Sequence, residues 1–181
     1  MKAYEGVDTT ATAELLARAR TGEREAFTEL VERHHAELVR IAYAITGDLD
    51  AARDSAQLAW IKAWQRLPSV REPERLRAWL IAIAANEARQ HLRAHRRRRV
   101  REIAPPEDDL PGQTTVTSAD RLDLGIALIR LDPADRGLLA MRYLAGLTAE
   151  EIGVATGLTA SGVRSRLSRL IARLREDLDH D

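Results

Sequence analysis

The sequence lacks cysteine altogether and contains only two lysines, Lys2 and Lys62, beside a large excess of arginine. The absence of cysteine excludes a disulfide framework, thiolate metal ligands and a thiol nucleophile. No apolar run approaches the roughly 20 residues that a membrane-spanning helix requires, and the first residues lack the apolar stretch of a signal peptide. We therefore expect a cytoplasmic protein without membrane insertion.

The two signs of charge are segregated along the chain, although 28 basic residues balance 28 acidic ones overall. Residues 89–101 contain seven arginines and two histidines without an acid, and residues 160–175 contain five arginines without an acid. The first run has an alternative interpretation as a solvated helix end. We favour nucleic-acid contact, because so many like charges repel one another in the absence of an anion.

Most of the chain shows the periodicity of amphipathic helices, and no segment reads as a strand. In the first half the pattern predicts a helix over about 11–20, a long helix ending at Gly47, a helix N-capped by Asp48, and one from about Glu74 into the arginine run. The residues predicted to be buried are Phe27, Leu30, Val31, Leu38, Ile41, Ile45, Ala52, Ala56, Ala59, Trp60, Ala63, Trp64, Leu67, Leu76, Trp79, Leu80, Ile83 and Leu92.

Prolines, acids and threonines interrupt the helical pattern in the middle of the chain. Such a composition predicts a flexible linker. The predicted architecture is therefore all-α, with two small helical domains over residues 10–99 and 119–179 and a linker over residues 100–118.

The second domain carries the signature of a helix-turn-helix. The residues predicted to be buried in it are Leu122, Ile126, Ile129, Leu138, Leu139, Met141, Leu144, Ile152, Ala155, Val163, Leu167, Leu170, Ile171, Leu174 and Leu178. The pair Asp132–Pro133 predicts a helix start, and Gly146 closes that helix. Thr148 and Glu151 form a capping-box pattern before a short helix, and Gly157 provides the turn into a long basic helix.

The basic face of that last helix is a candidate for reading DNA. Arginine can contact guanine edges bidentately, while serines and flanking arginines can hold phosphates. The alternative is an ordinary helix with a solvated basic face, but a face made for solubility usually mixes both signs of charge. The outward candidates are Arg164, Ser165, Ser168 and Arg169, with Arg166 and Arg173 flanking them.

With both halves in view, the chain resembles the extracytoplasmic-function (ECF) sigma factors of the sigma-70 superfamily, from about Thr12 to Leu178. Its first half looks like sigma region two. Residues 54–64, DSAQLAWIKAW, resemble the family's polymerase-binding helix, and residues 77–86, RAWLIAIAAN, its promoter-melting helix. Its second half looks like sigma region four, most specifically in residues 143–152, YLAGLTAEEI, and 163–167, VRSRL.

The resemblance implies an RNA polymerase sigma factor that directs promoter recognition and transcription initiation by bacterial core RNA polymerase. It implies no catalytic residue, metal or cofactor of its own. The implied partners are core RNA polymerase and promoter DNA, and an anti-sigma factor is a further candidate. Asp54 and Gln57 would dock onto the clamp helices of the polymerase's largest subunit, and the linker would thread toward the RNA exit channel.

The resemblance also assigns the promoter contacts. Asn86 and the loop over residues 68–74 would capture a flipped base of the minus-ten element, and Arg89 and Arg93 would approach the DNA beside it. From spacing alone, Asn86 is only a polar residue on an exposed helix face. The minus-thirty-five element would be met by Arg164, Ser165, Ser168 and Arg169.

Three positions depart from the family's usual pattern. Leu58 stands where an acid normally follows the glutamine of the docking segment, which bears on the strength of polymerase binding. Ala85 replaces a basic residue before Asn86, and Ser161–Gly162 replaces the usual Gly–Thr before Val163. The last two departures indicate an altered promoter preference.

Two residue groups have competing interpretations. The tryptophans could stack on unpaired bases, but their helical spacing favours core packing. The histidine pairs could suggest a metal, but no third ligand stands at suitable spacing, so surface histidines are favoured. These residues are Trp60, Trp64 and Trp79 in the first group, and His34, His35, His91 and His95 in the second.

Two other functions compete with the sigma-factor prediction. A stand-alone helix-turn-helix regulator would bind duplex DNA without polymerase, but its sensor domain would not need the pattern at residues 54–64. A helical interaction protein that only binds an anti-sigma partner would not depend on Arg164 or Arg169 for transcription. No phosphate-binding glycine loop or nucleophile motif is present, so an independent enzyme is not expected.

Overall fold

The computed structural model describes residues 9–101, 127–128 and 130–179, and every regular element in this part of the chain is helical. The helices are α1 (Thr9–Arg20), α2 (Arg24–Thr46), α3 (Leu49–Arg66), α4 (Pro73–Arg101), α5 (Pro133–Leu139), α6 (Ala149–Thr156) and α7 (Ala160–Asp179), with a 3₁₀ turn at Leu67–Ser69 and a π-helical turn at Ala140–Leu144. The all-α prediction is confirmed. The predicted linker beyond residue 101 and the predicted helix with Leu122, Ile126 and Ile129 lie outside the described residues.

Helices α1 to α4 form an N-terminal bundle whose core alternates small and large side chains. Leucine and isoleucine fill the spaces between helices that alanines allow to approach closely, as dense core packing requires. The fully buried alanines include Ala26, Ala42, Ala52, Ala56, Ala63, Ala84, Ala85 and Ala88, and the large side chains include Leu30, Leu38, Ile41, Ile45, Leu76 and Leu80. The stripe predicted for the long second helix is thereby confirmed.

The predicted helix starts are also confirmed. The Asp48 carboxylate accepts a hydrogen bond from the Ala51 amide at 2.6 Å, and the Asp132 carboxylate accepts one from the Ala134 amide at 2.8 Å. Such caps satisfy amides that have no partner inside the helix, each contributing about 1 kcal/mol. The Thr148–Glu151 capping box is complete at the start of α6.

Three residues predicted to be buried are exposed instead. Trp64 is 38% exposed, because α3 carries apolar residues around more of its circumference than the bundle covers; its ring packs edge-on against Phe27. Leu144 is exposed because the π-helical turn, closed by a hydrogen bond from the Ala145 amide to the Ala140 carbonyl, shifts the helical phase. Leu178 is exposed near the end of α7.

His34 contradicts the prediction that the histidines lie at the surface. Its side chain is only 6% exposed on the inward face of α2, one turn from Glu37. Burial lowers the pKa of the His34 imidazole; Glu37 opposes this, and Arg77 and Arg33 add to it. The folded protein therefore disfavours the charged form of His34 relative to the unfolded chain.

A buried ion pair connects α3 to α4. The Lys62 ammonium donates to both carboxylate oxygens of Glu87 at 2.7 Å. The Glu87 side chain is 4% exposed, whereas the Lys62 side chain is 35% exposed. The carboxylate thus depends on the lysine for its charge compensation, while the lysine still reaches water.

Helices α5 to α7 form a C-terminal bundle that packs on α2 and α4. The Arg77 guanidinium on α4 donates to both oxygens of Glu37 on α2, at 3.0 and 2.6 Å, and also to the carbonyl of Ala145 at 2.7 Å. Beside this contact, Gly137 on α5 lies against Ile45 on α2. Buried apolar residues form one cluster through both bundles. Among the described helices, none is long and apolar enough to cross a membrane.

We expect substitutions in the Lys62–Glu87 pair to be unequal in effect. Lys62→Met should lower the free energy of unfolding by about 3 kcal/mol, because it leaves a buried carboxylate without a counter-charge. Glu87→Met should lower it clearly less, because Lys62 remains hydrated. Chemical denaturation of both variants and the double variant measures this, and equal losses from the two single variants would contradict the assigned asymmetry.

The protein should lose stability on mild acidification through His34. Because the folded-state pKa is lowered, the unfolded chain binds the proton more readily, so stability falls as the pH drops below the unfolded value of about 6.5 and levels off below the folded pKa. His34→Gln should reduce this slope, measured by denaturation between about pH 7.5 and pH 5.5. The exposed His95→Gln is the control and should retain the full slope; equal slopes in all three proteins would rule His34 out as the cause.

Candidate nucleic-acid interface

Helix α7 has one apolar face and one basic face. Val163, Leu167, Leu170 and Leu174 are buried against α5 and α6, which fixes the rotation of the helix about its axis. A side chain one or two positions after such a buried residue then faces the other side. The residues placed together on the exposed face are Arg164, Ser165, Ser168 and Arg169, as the sequence predicted.

The turn between α6 and α7 is tight, and two glycines allow it. Gly157 has φ of 75°, in the left-handed region that other residues adopt at a cost. A Cβ atom on Gly153 would come within 2.7 Å of the Leu158 carbonyl oxygen, so the turn can approach α6 only where a side chain is missing. The Thr159 hydroxyl accepts a hydrogen bond from the Gly162 amide at 3.0 Å, which places Gly162 in the first turn of α7.

The arginines of α7 have different surroundings. Arg166 donates to Asp135 on α5 at 2.6 Å and is partly buried, so it fastens the helix to its own bundle. Arg164 pairs with Glu150 on α6 at 2.9 Å, and both side chains are exposed. The backbone amide of Glu150, and then Arg164, lower the pKa of the Glu150 carboxyl. An exposed pair of this kind contributes little stability, so Arg164 can leave it readily.

A cleft of about 760 Å³ brings Asn86 together with the loop over residues 68–74, two features that the resemblance linked. Trp79 and Ile83 of α4 form an apolar wall, and Asn86 is partly buried beside them. Trp79 thus lines the cleft and also packs against the core. Trp60, in contrast, is a core residue, and its indole N–H donates a hydrogen bond to His35 at 3.2 Å. The far wall of the cleft is Glu150, Glu151, Val154 and Ala155 of α6.

Arg89 and Arg93 do not line this cleft. Arg93 is exposed, but Arg89 is partly buried, and its Nε atom has no hydrogen-bond partner within the described part of the chain. Burial lowers the pKa of the Arg89 guanidinium, and Arg93 adds to that effect. A partly buried guanidinium that has no acidic partner among the described residues loses hydration at a cost, which an arriving phosphate would offset.

Helix α3 presents the candidate docking face. Asp54 and Gln57 are exposed, and no ion pair is formed by Asp54 within residues 9–101 or 130–179. Next to them, Leu58 and Ile61 are 46% and 50% exposed. The face therefore has a polar half and an apolar half. Ile61 was missed in the sequence, although its position off the buried stripe of α3 was a visible signal.

The sequence also missed Glu37 and Arg77, because an ion pair across 40 positions leaves no mark in local periodicity. The histidines form no metal site in the described residues, where no cluster of three or more potential ligands occurs.

Two family models match the chain. Residues 30–98 match the model described as Sigma-70 region 2, and residues 127–176 match the one described as Sigma-70, region 4. The chain is 32% identical to the RNA polymerase sigma factor NccH of Alcaligenes xylosoxydans xylosoxydans, over 88% of this chain and 90% of NccH. It is 30% identical to the ECF RNA polymerase sigma factor SigL of Mycobacterium tuberculosis strain H37Rv, over 81% of this chain and 85% of SigL.

A third relative, the probable RNA polymerase sigma factor RfaY of Xanthomonas campestris pv. campestris, is 32% identical over 90% of this chain, which spans only 43% of RfaY. Two solved structures are similar at 27% identity. They are the sigma factor RpoE in complex with the anti-sigma factor NepR from Bartonella quintana, with a TM-score of 0.69 over 86% of this chain and 98% of that one, and CnrH in complex with the cytosolic domain of CnrY, with a TM-score of 0.68 over 94% and 99%.

The region 2 model matches the N-terminal bundle, and the region 4 model matches the C-terminal bundle. The alignments with NccH and SigL cover most of the length of those two sigma factors. The chain therefore belongs to the ECF sigma factors of the sigma-70 superfamily, which direct promoter recognition and transcription initiation by RNA polymerase.

Proposed function

We propose that this sigma factor acts through three surfaces, each held by a different helix, and performs no chemistry itself. The division into a domain over residues 10–99, a linker over 100–118 and a domain over 119–179 separates the polymerase and minus-ten surfaces from the minus-thirty-five surface. The observation that carries the proposal is the acid-free basic face of α7, oriented outward by a wholly apolar opposite stripe.

The minus-thirty-five element is read by α7. Its face carries two arginines and two serines, which suits one or two bidentate base contacts flanked by phosphate contacts. Arg164 must release Glu150 before it can contact DNA. Because that ion pair is exposed, breaking it costs little free energy.

The minus-ten element is captured in the cleft at α4. Extruding a base costs a few kcal/mol, which the pocket must offset by stacking and by hydrogen bonds to the base edge. The Trp79 ring and the Asn86 amide offer these two kinds of contact in one cleft. Arg89 and Arg93 lie on the neighbouring face of the same helix and contact the backbone of the separated strand.

Core RNA polymerase docks on α3. Asp54 and Gln57 provide the polar contacts, and the exposed Leu58 adds an apolar contact where the family usually has an acid. By analogy with the two similar structures, each solved with CnrY or NepR, an anti-sigma factor is a further partner. The site of action is the cytoplasm, where the polymerase works.

The deciding experiment is run-off transcription with purified core polymerase on a genomic promoter library. We expect defined transcripts only when this protein is added. Arg164→Ala/Arg169→Ala should lower their yield at least tenfold, because each lost bidentate contact removes about 1–3 kcal/mol of recognition. The control is Arg175→Ala, which removes a positive charge from the same helix outside this face and should leave the yield unchanged.

Unchanged transcription by the Arg164→Ala/Arg169→Ala variant would refute the assignment of α7. Specific duplex binding without any transcript or polymerase binding would favour a stand-alone regulator instead.

Docking should depend on the polar half of the α3 face. Asp54→Ala/Gln57→Ala should weaken binding to core polymerase at least tenfold, because charged and amide contacts at an interface centre are lost. Binding is measured by fluorescence anisotropy of the labelled sigma factor. Asp50→Ala, which removes another carboxylate from the same helix, should change affinity less than twofold; if all variants bind like the wild type, docking lies elsewhere.

A further inference from the structure

Lys62 is unusual among the basic residues of this chain. Of the 28 lysines and arginines only Lys2 and Lys62 are lysines, and Lys62 is the one that lies within the described helices. It follows the exposed Ile61 of the docking face on α3, and it also lines the cleft at α4 that contains Asn86. A chain that otherwise uses arginine thus has a compact ammonium group at the edge of this cleft.

Glu87 holds the Lys62 ammonium in position. The ammonium donates to both carboxylate oxygens of Glu87 at 2.7 Å, which occupies two of its three N–H groups. Glu87 is 4% exposed and directly follows Asn86 on α4, whereas the Lys62 side chain is 35% exposed. All three residues line the same cleft. Within the described helices, the ion pair therefore leaves one N–H group of a well-positioned ammonium for an occupant of the cleft.

An arginine at position 62 would not serve in the same way. Its planar guanidinium would pair with the Glu87 carboxylate as a fork, and this larger group would occupy part of the cleft. An ammonium is compact, and its three donors diverge from one nitrogen atom. Lysine can therefore compensate the buried carboxylate and at the same time donate a hydrogen bond away from it.

The charge of the pair indicates which part of a nucleotide it would contact. The Glu87 carboxylate compensates the Lys62 ammonium, so the pair offers a donor without net charge. Arg66 and Arg71 line the same cleft and are exposed, which makes them better suited to phosphate oxygens. Trp79 provides an apolar surface for the ring of a base in that cleft. The lysine donor therefore matches an uncharged acceptor, and a base carbonyl oxygen is such an acceptor.

We propose that Lys62 is a specificity-determining residue of the cleft, and that its ammonium, positioned by Glu87, donates a hydrogen bond to a carbonyl oxygen of the captured minus-ten base. The proposal rests on the proposed function of the cleft. The Asn86 amide can both donate and accept, whereas Lys62 can only donate. Cytosine, thymine and guanine each carry a carbonyl oxygen and adenine carries none, so Lys62 should favour one of these three bases over adenine.

Two variants separate a contact with DNA from a structural role of the ion pair. Lys62→Met/Glu87→Met removes the donor together with the buried carboxylate, and an apolar pair of similar volume can replace a buried ion pair without loss of stability. Glu87→Gln is the matched control, because it removes the same ion pair but keeps the lysine donor. Thermal unfolding of both variants verifies that they are folded.

Each protein is bound to core RNA polymerase, and the affinity of this complex for a labelled single strand is measured by fluorescence anisotropy. The strand carries the minus-ten sequence read from the run-off transcripts, and the captured position is the one at which an abasic site weakens binding most. That position then carries each of the four bases, or analogues of the preferred base that each lack one carbonyl oxygen.

We expect the wild-type complex to bind the preferred base about tenfold more tightly than one of these analogues, because a charged donor loses its acceptor. The Lys62→Met/Glu87→Met complex should distinguish the two strands by less than about threefold, since it has no donor to lose. Glu87→Gln should keep most of the wild-type discrimination. The dependence of affinity on salt should be the same for the wild type and the double variant, because no phosphate contact is removed.

Three outcomes would overturn the proposal: adenine as the preferred base, a double variant that discriminates as strongly as the wild type, or a Glu87→Gln variant that loses discrimination as fully as the double variant. The last result would mark the ion pair as purely structural. A double variant that binds all strands more weakly and with a smaller salt dependence would also overturn it, because Lys62 would then contact a phosphate.

Run-off transcription by the wild type keeps this test separate from the function itself. If the wild type supports transcription and one of these outcomes is found, only the role of Lys62 is wrong. If the wild type supports no transcription, the proposed function has failed.

Discussion

The Arg77–Glu37 ion pair is the contact on which the relative placement of all the other surfaces depends. It joins α2 to α4 inside the N-terminal bundle, and its third hydrogen bond reaches the C-terminal bundle at Ala145. Only arginine can serve these partners together, because its planar guanidinium presents several donors in fixed directions. Since Glu37 is largely buried, the pair cannot relax into water, and the geometry of three helices follows from it.

The second constraint is the small size of the core residues. Fully buried alanines at positions such as Ala52, Ala56 and Ala84 let the helices of the N-terminal bundle lie close together. A narrow buried stripe is then enough to hold each helix, and the remaining circumference is free for other contacts. Helix α3 shows the consequence, because it carries Asp54 and Leu58 outward while its alanines pack inward.

Helix α7 of the C-terminal bundle is likewise held by one buried stripe, which leaves its other face free. Its rotation is set by the buried Val163, Leu167, Leu170 and Leu174, and Arg166 fastens it to α5. The exposed residues Arg164, Ser165, Ser168 and Arg169 are therefore not needed for folding. The reading face can therefore vary without loss of the fold, which is the arrangement expected where function is attached to a stable scaffold. The departures at Ser161–Gly162 lie beside this face, in the first turn.

Local signals were sufficient for most elements. Caps at Asp48, Asp132 and Thr148 and the apolar stripe of α2 were all predicted correctly, because they depend on residues within one or two turns of each other. The errors fell where local periodicity is not decisive. The exposure of Trp64 and the burial of His34 depend on which surfaces other helices cover. The exposure of Leu144 depends on a π-helical turn, which the amino-acid pattern does not predict.

Some parts of the candidate site were likewise predictable from local pattern, and others were not. The exposed face of α7 and the outward position of Asp54 could be deduced from helical periodicity, since one face of each helix is plainly apolar. The cleft could not, because it forms only when the 68–74 loop, α4 and α6 meet, and the residues that line it are as far apart in the chain as Ser69 and Ala155. The helices, their caps and their basic and apolar faces depend on interactions along a single helix, and for that reason they could be predicted from local pattern. Which faces meet depends on how the helices pack, because the Arg77–Glu37 pair and the contact of Gly137 with Ile45 join residues that are far apart in the chain and whose partners no local pattern identifies.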